Sequence, residues 1–147
     1  MSRSLVHTYL GDRRGLLDAV QVRIVARLDA WVGHGLRRAE TADEALRAIV
    51  VGTFAFVAAE HDGWSVLVST GGLDHPALHG TRSRWAAALT ADGGRELDAQ
   101  LALAGLLGGV GAWVNRGVEA SDVLARLRAL LASAPSDAER GAPHGGD

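Results

Sequence analysis

The sequence predicts an all-α fold, and three observations predict it. Leu- and Ala-rich stretches recur at three- and four-residue spacing along most of the chain, only three prolines interrupt 147 residues, and alternation of β-branched with polar residues is scarcely visible. Long unbranched side chains and Ala lose little freedom in a helix, whereas an isolated strand has no ladder to complete. At this length one packed domain is expected.

Arg3 to Tyr9 reads as a short helix, Leu10 to Asp12 as a tight turn around Gly11, and Arg13 to about Gly33 as a long amphipathic helix. In the long helix Leu17, Val20, Ile24, Leu28 and Trp31 form the apolar stripe, with Arg23, Arg27 and Asp29 between them. Asp12 is placed to cap its start, and Gly33 and Gly35 to stop it. Thr41 opens a second helix, with Glu44 three residues later to complete a capping box. That helix carries Leu46, Ile49, Val50, Phe54 and Val57 and has no charge from Ala48 to Ala59. A helix apolar over so much of its circumference must be surrounded, so a central position is predicted.

Asp62 to Thr70 is rich in β-branched and aromatic residues, but a lone strand would be unpaired, so a short helix ended by Gly71 and Gly72 is expected. Asp74-His75-Pro76 opens the next helix, with Pro in its first turn, through Leu78, Arg82, Trp85 and Leu89 to a break at Asp92-Gly93-Gly94. Two helices close the domain, Arg95 to about Asn115 and Ser121 to about Ala132, the second capped by Ser121. Its stripe is Val123, Leu124, Leu127, Leu130 and Leu131. Residues 133–147, with Pro135 and Pro143 and a Gly-rich end, read as a disordered tail.

Net charge is -2, so the chain as a whole is not an electrostatic nucleic-acid binder, although Arg3, Arg13 and Arg14 against Asp12 leave the first fourteen residues at +2. All 15 basic side chains are Arg, which reads as codon usage. Without Cys there are neither disulfides nor thiolate chemistry, and a cytoplasmic location is expected. The longest uncharged stretch, Ala99 to Asn115, falls short of the roughly 20 residues that cross a bilayer, so no membrane partner is expected.

Enzymatic patterns are weak. His75 and His79 have the spacing of a two-His metal site but no His-Glu-x-x-His pattern accompanies them, and surface histidines at a helix start are the simpler reading. His61 and Asp62 are adjacent and point apart on a helix. With no phosphate-binding Gly loop and no nucleophile elbow, neither catalysis, metal nor cofactor is expected. A small-molecule pocket between helices would draw on Phe54, Phe56, Val57, Trp64, Trp85 and Trp113 as walls and on Thr53, His61, Ser69 and Arg82 as polar handles. Core filling is the alternative for each aromatic residue.

The Arg95–Asn115 helix has two faces to bury: Leu103, Leu106, Val110 and Trp113 on one, Leu101, Gly105, Gly108, Gly109 and Ala112 on the other. One face can meet its own core and the other calls for a partner, with Gly105-x-x-x-Gly109 allowing close approach. Gly105, Gly109, Ala112, Val123, Leu127 and Leu130 are therefore the candidate homodimer residues; glycines making room within the monomer are the alternative.

Two stretches carry a family resemblance. Ser2, Tyr9, Gly11, Leu16, Leu17, Ala19 and Val20 stand in the order and spacing of the recognition helix and first linker helix of TetR/AcrR-type transcriptional regulators, with His7, Leu10 and Arg13 as mild departures. Ala112-Trp113-Val114-Asn115-Arg116-Gly117, followed by the helix from Ser121-Asp122, resembles the last two helices of that family's regulatory domains. The resemblance implies a TetR-like helical bundle at 13–132 that binds a small, mostly apolar effector and dimerises, preceded by a truncated helix-turn-helix remnant at 1–12. It implies a ligand-responsive regulator, a repressor, whose partners are itself, DNA and the effector. Ser2, His7, Tyr9 and Arg13 would touch phosphates, and Arg3 and Ser4 would lie near base edges. A helix-turn-helix needs an upstream helix as brace, and Met1 leaves no room for one. Either the true start lies upstream, or the chain is a dimeric helical binding module without sequence-specific DNA binding.

Overall fold

The computed structural model describes residues 3–133, with side chains from residue 12 onward. Among these the fold is all-α: six helices, one 3-10 turn and no strand. The helices are α1 Arg3–Leu36, α2 Ala42–Ala59, α3 His61–Ser69, α4 Pro76–Leu89, α5 Glu96–Asn115 and α6 Ala120–Ser133. The expected tail lies outside the described residues, apart from Ser133, which ends α6.

α1 departs from expectation. It is one unbroken helix of 34 residues, about 50 Å long at 1.5 Å per residue, so the turn at Leu10 to Asp12 is absent and Asp12 is not a cap. A single glycine at position 11 costs about 1 kcal/mol of helix propensity, too little to break a helix that has no proline. The apolar stripe is also rotated from the expected one. Ile24, Val25, Leu28 and Val32 are buried together with Gln21, whereas Leu17, Val20 and Trp31 are exposed. A 3.6-residue period permits either stripe, and the approach of α2 decides between them. A Cβ on Gly52 would stand only 2.8 Å from Val32 Cα and 3.0 Å from Trp31 O, so α1 and α2 touch backbone to backbone there.

α2 begins as expected. Thr41 Oγ1 accepts from Glu44 N, Glu44 Oε2 accepts from Thr41 N, and Asp92 Oδ2 takes the further N–H of Ala42 at 2.9 Å. The helix is central and touches all five others. Ile49, Val50, Phe56 and Val57 are buried along it.

α3 is the short helix expected, and Gly71, at φ 74, turns the chain into a 3-10 turn at Gly72–Asp74 that the sequence did not signal. α5 ends at a Schellman motif: Val118 N–H reaches Trp113 O at 2.9 Å, Gly117 N–H reaches Val114 O at 3.1 Å, and Gly117 takes φ 69. α6 starts one residue earlier than expected. Ser121 therefore lies inside its first turn rather than capping it, and the carbonyl of Glu119 accepts from Asp122 and Val123.

Candidate functional site

α5 and α6 follow each other through the Gly117 turn but pack on different sets of neighbours. α5 packs on α2 and α4 through Ala99, Leu103, Leu106 and Val110, while α6 lies chiefly on α2 through Val123, Leu124 and Leu127. Between them remains a groove of about 860 Å³ with walls that include Leu101, Gly105, Trp113, Val123 and Leu130. Asp98, Asp122 and Arg126 supply its charges. Leu101 and Leu130 in its walls are exposed to 62% and 65%, and Leu97, one turn before Leu101 on α5, to 60%. Isolated exposed leucines are ordinary, but three in or next to one apolar groove make a surface that water solvates poorly.

The candidate dimer residues divide. Gly105, Ala112 and Leu130 are exposed on this surface, and a Cβ on Gly105 or Gly108 would meet nothing within 4 Å. Val123 and Leu127 are buried in the protomer's own core while bordering the groove. Gly109 is different: its missing side chain makes room for the Trp113 ring, which would clash with any Cβ there. The Gly105-x-x-x-Gly109 pair is thus not one open strip; Gly105 and Gly108 are the open positions.

Among the described grooves, none gathers the candidate effector residues. None of the grooves described is lined by Thr53, Phe54, Val57, His61, Trp64, Arg82 or Trp85. Trp85 is fully buried and donates from Nε1 to Asp29 Oδ1 at 3.2 Å. Trp64 is buried edge-on to Phe56, with ring centroids 6.5 Å apart, in space that Gly111 leaves open. Phe54 stacks on Trp113 at 6.4 Å, so Trp113 joins the core to the groove wall. Val57 is core, and His61 and Ser69 are exposed. Two of the polar handles stand out: Thr53 Oγ1 and Arg82 Nε are buried without a hydrogen-bond partner. Buried polar atoms are nearly always paired, so these two are exceptions, and no described groove reaches either of them.

Of the candidate DNA contacts, Ser2 lies outside the described residues, and for Arg3, Ser4, His7 and Tyr9 only the helical backbone is described. Arg13 is exposed on α1. Among the described residues no three His, Cys, Asp or Glu side chains gather at metal-binding distance. α5 is long and apolar enough to cross a membrane by length and composition, and 33% of its most apolar 18-residue stretch is buried inside the protein.

Three groups of polar contacts that link the helices had no distinctive sequence signal. Asp29 accepts from both Trp85 Nε1 and Arg84 Nη2, Glu60 pairs with Arg27 and accepts from Trp31 Nε1, and Arg128 grips Asp43 through two bonds of 2.6 and 2.7 Å. The Arg128 hydrogen bond holds the Asp43 carboxyl below its ordinary value, and the same bond raises Arg128. No family model, curated protein or solved structure matches the chain.

Proposed function

We propose that this protein is a TetR-like, ligand-responsive transcriptional regulator, a repressor that works as a homodimer joined through α5 and α6 and responds to a small, mostly apolar effector. One observation carries the reading: the apolar groove between α5 and α6, with Leu101 and Leu130 exposed in its walls, Leu97 exposed one turn before Leu101, and Gly105 and Gly108 open. A second copy related by a twofold axis would bury leucines of this kind, and the same patch would serve both partners.

A second reading has its own support. An unbroken α1 lacks the turn that sets a recognition helix against its linker, which favours a dimeric binding module that does not read DNA sequence. Sedimentation of the full chain at micromolar concentration tests the shared part: a dimer that Leu101→Glu with Leu130→Glu converts to monomer is expected, and a monomeric wild type refutes it. Mobility shift with DNA from upstream of its own gene then separates the two, a sequence-specific shift favouring the regulator and none favouring the module.

A further inference from the structure

α1 runs past the body of the protein at its N-terminal end, where residues 12–20 are all exposed. Two side chains hold this arm to the corner between α3 and α4. Gln21, buried, donates from Nε2 to Thr70 O at 3.1 Å and to Thr70 Oγ1 at 2.9 Å. One turn further out, Asp18 Oδ1 lies 2.7 Å from His75 Nε2.

His75 is also the start of α4. Pro76 has no N–H, Ala77 N–H donates to His75 Nδ1 at 3.1 Å, and Leu78 and His79 N–H both donate to His75 O. Its own N–H closes the preceding 3-10 turn on Gly72 O at 3.1 Å. Every N–H of the first turn of α4 therefore ends on this one residue. The ring can serve both partners in only one form. Because Nδ1 accepts from Ala77, the proton must sit on Nε2, which donates to Asp18; the other neutral tautomer would set N–H against N–H at one nitrogen and lone pair against carboxylate at the other. The His75 side chain is 12% exposed and Asp18 67%, so the histidine is the fixed member and the arm the one being held.

We propose that His75 is a two-sided clamp that couples the start of α4 to the projecting arm of α1, so that a ligand or partner displacing the α3–α4 corner also releases the arm. Coupling of this kind is reciprocal: anything that seizes the arm will bias the corner.

Two substitutions separate the two sides of the ring. In His75→Asn the side-chain oxygen takes the place of Nδ1 and still caps α4, but nothing reaches Asp18. In His75→Gln the amide nitrogen takes the place of Nε2 and still reaches Asp18, but the cap is lost. Amide hydrogen exchange of the full chain is the measurement. H75N is expected to speed exchange in residues 13–20 about fivefold, as for one hydrogen bond of ordinary net strength, with the first turn of α4 unchanged. H75Q is expected to do the converse. Asp18→Ala, at an exposed position that endangers no packing, should reproduce H75N in the arm. Exchange in the arm unaltered by both H75N and D18A overturns the proposal, as does a pattern in which H75N and H75Q loosen both regions equally.

Discussion

Gly52→Ala tests the close backbone approach of α1 and α2. The added Cβ would lie 2.8 Å from Val32 Cα, 3.0 Å from Trp31 O and 3.0 Å from Val32 Cγ2. Carbon atoms rest at about 3.5–4.0 Å, so relief needs a shift of roughly 1 Å. Two of the three atoms are backbone, so α1 must move as a body instead of one side chain swinging away. One turn along the same seam Gly35 faces Ala48, where a Cβ would lie 3.0 Å from Ala48 Cβ, so a tilt about that point finds little slack. Alanine gains about 1 kcal/mol over glycine in a helix, while overpacking costs about 1–3 kcal/mol. With rigid backbone as the obstacle the upper part of that range applies, and a net loss of about 1–2 kcal/mol is expected. Urea unfolding at fixed protein concentration reads it as a fall in midpoint at unchanged slope. Gly80→Ala is the control, because a Cβ there meets nothing within 4 Å; it should gain about 0.5–1 kcal/mol. Gly52→Ala at least as stable as the wild type would show that α1 and α2 do not meet backbone to backbone.

Thr53→Val removes a buried hydroxyl that has no partner while keeping the shape of the side chain, and should raise stability by about 1 kcal/mol in thermal or urea unfolding. A loss of similar size would mean that the hydroxyl is bonded in solution. The Asp43–Arg128 pair gives a pH dependence of definite sign. A carboxyl held below its ordinary value favours the folded state wherever it is ionised, and that contribution disappears as pH falls from the ordinary carboxylate range through the lowered value. Arg128→Gln should therefore lower the Tm slightly at pH 7, by no more than about 2 °C for so exposed a pair, and the gap to wild type should close below about pH 4. A gap that persists unchanged into acid would refute the assignment.

Local chemistry made much of the fold readable. The capping box at Thr41 and Glu44, Pro76 in the first turn of α4 and the glycine ends of α3 and α5 all act within a few residues, so the order of the long helices followed from them. The uncharged run of α2 likewise implied its central place, since only an interior position spares such a helix from water. The candidate site was legible only in part. Leu130 and Gly105 were recognisable as exposed surface, but Gly109 was grouped with them although the Trp113 ring fills its space, because spacing does not reveal how a ring one turn away folds back.

Sequence alone determined where α2 and α4 start and that no strand competes among the described residues, because those are questions of propensity, capping and period. Tertiary structure decided which stripe of α1 turns inward and that His75 and Gln21 meet partners on distant elements. Each of these depends on how far one helix stands from another, and spacing along a chain carries no measure of that distance.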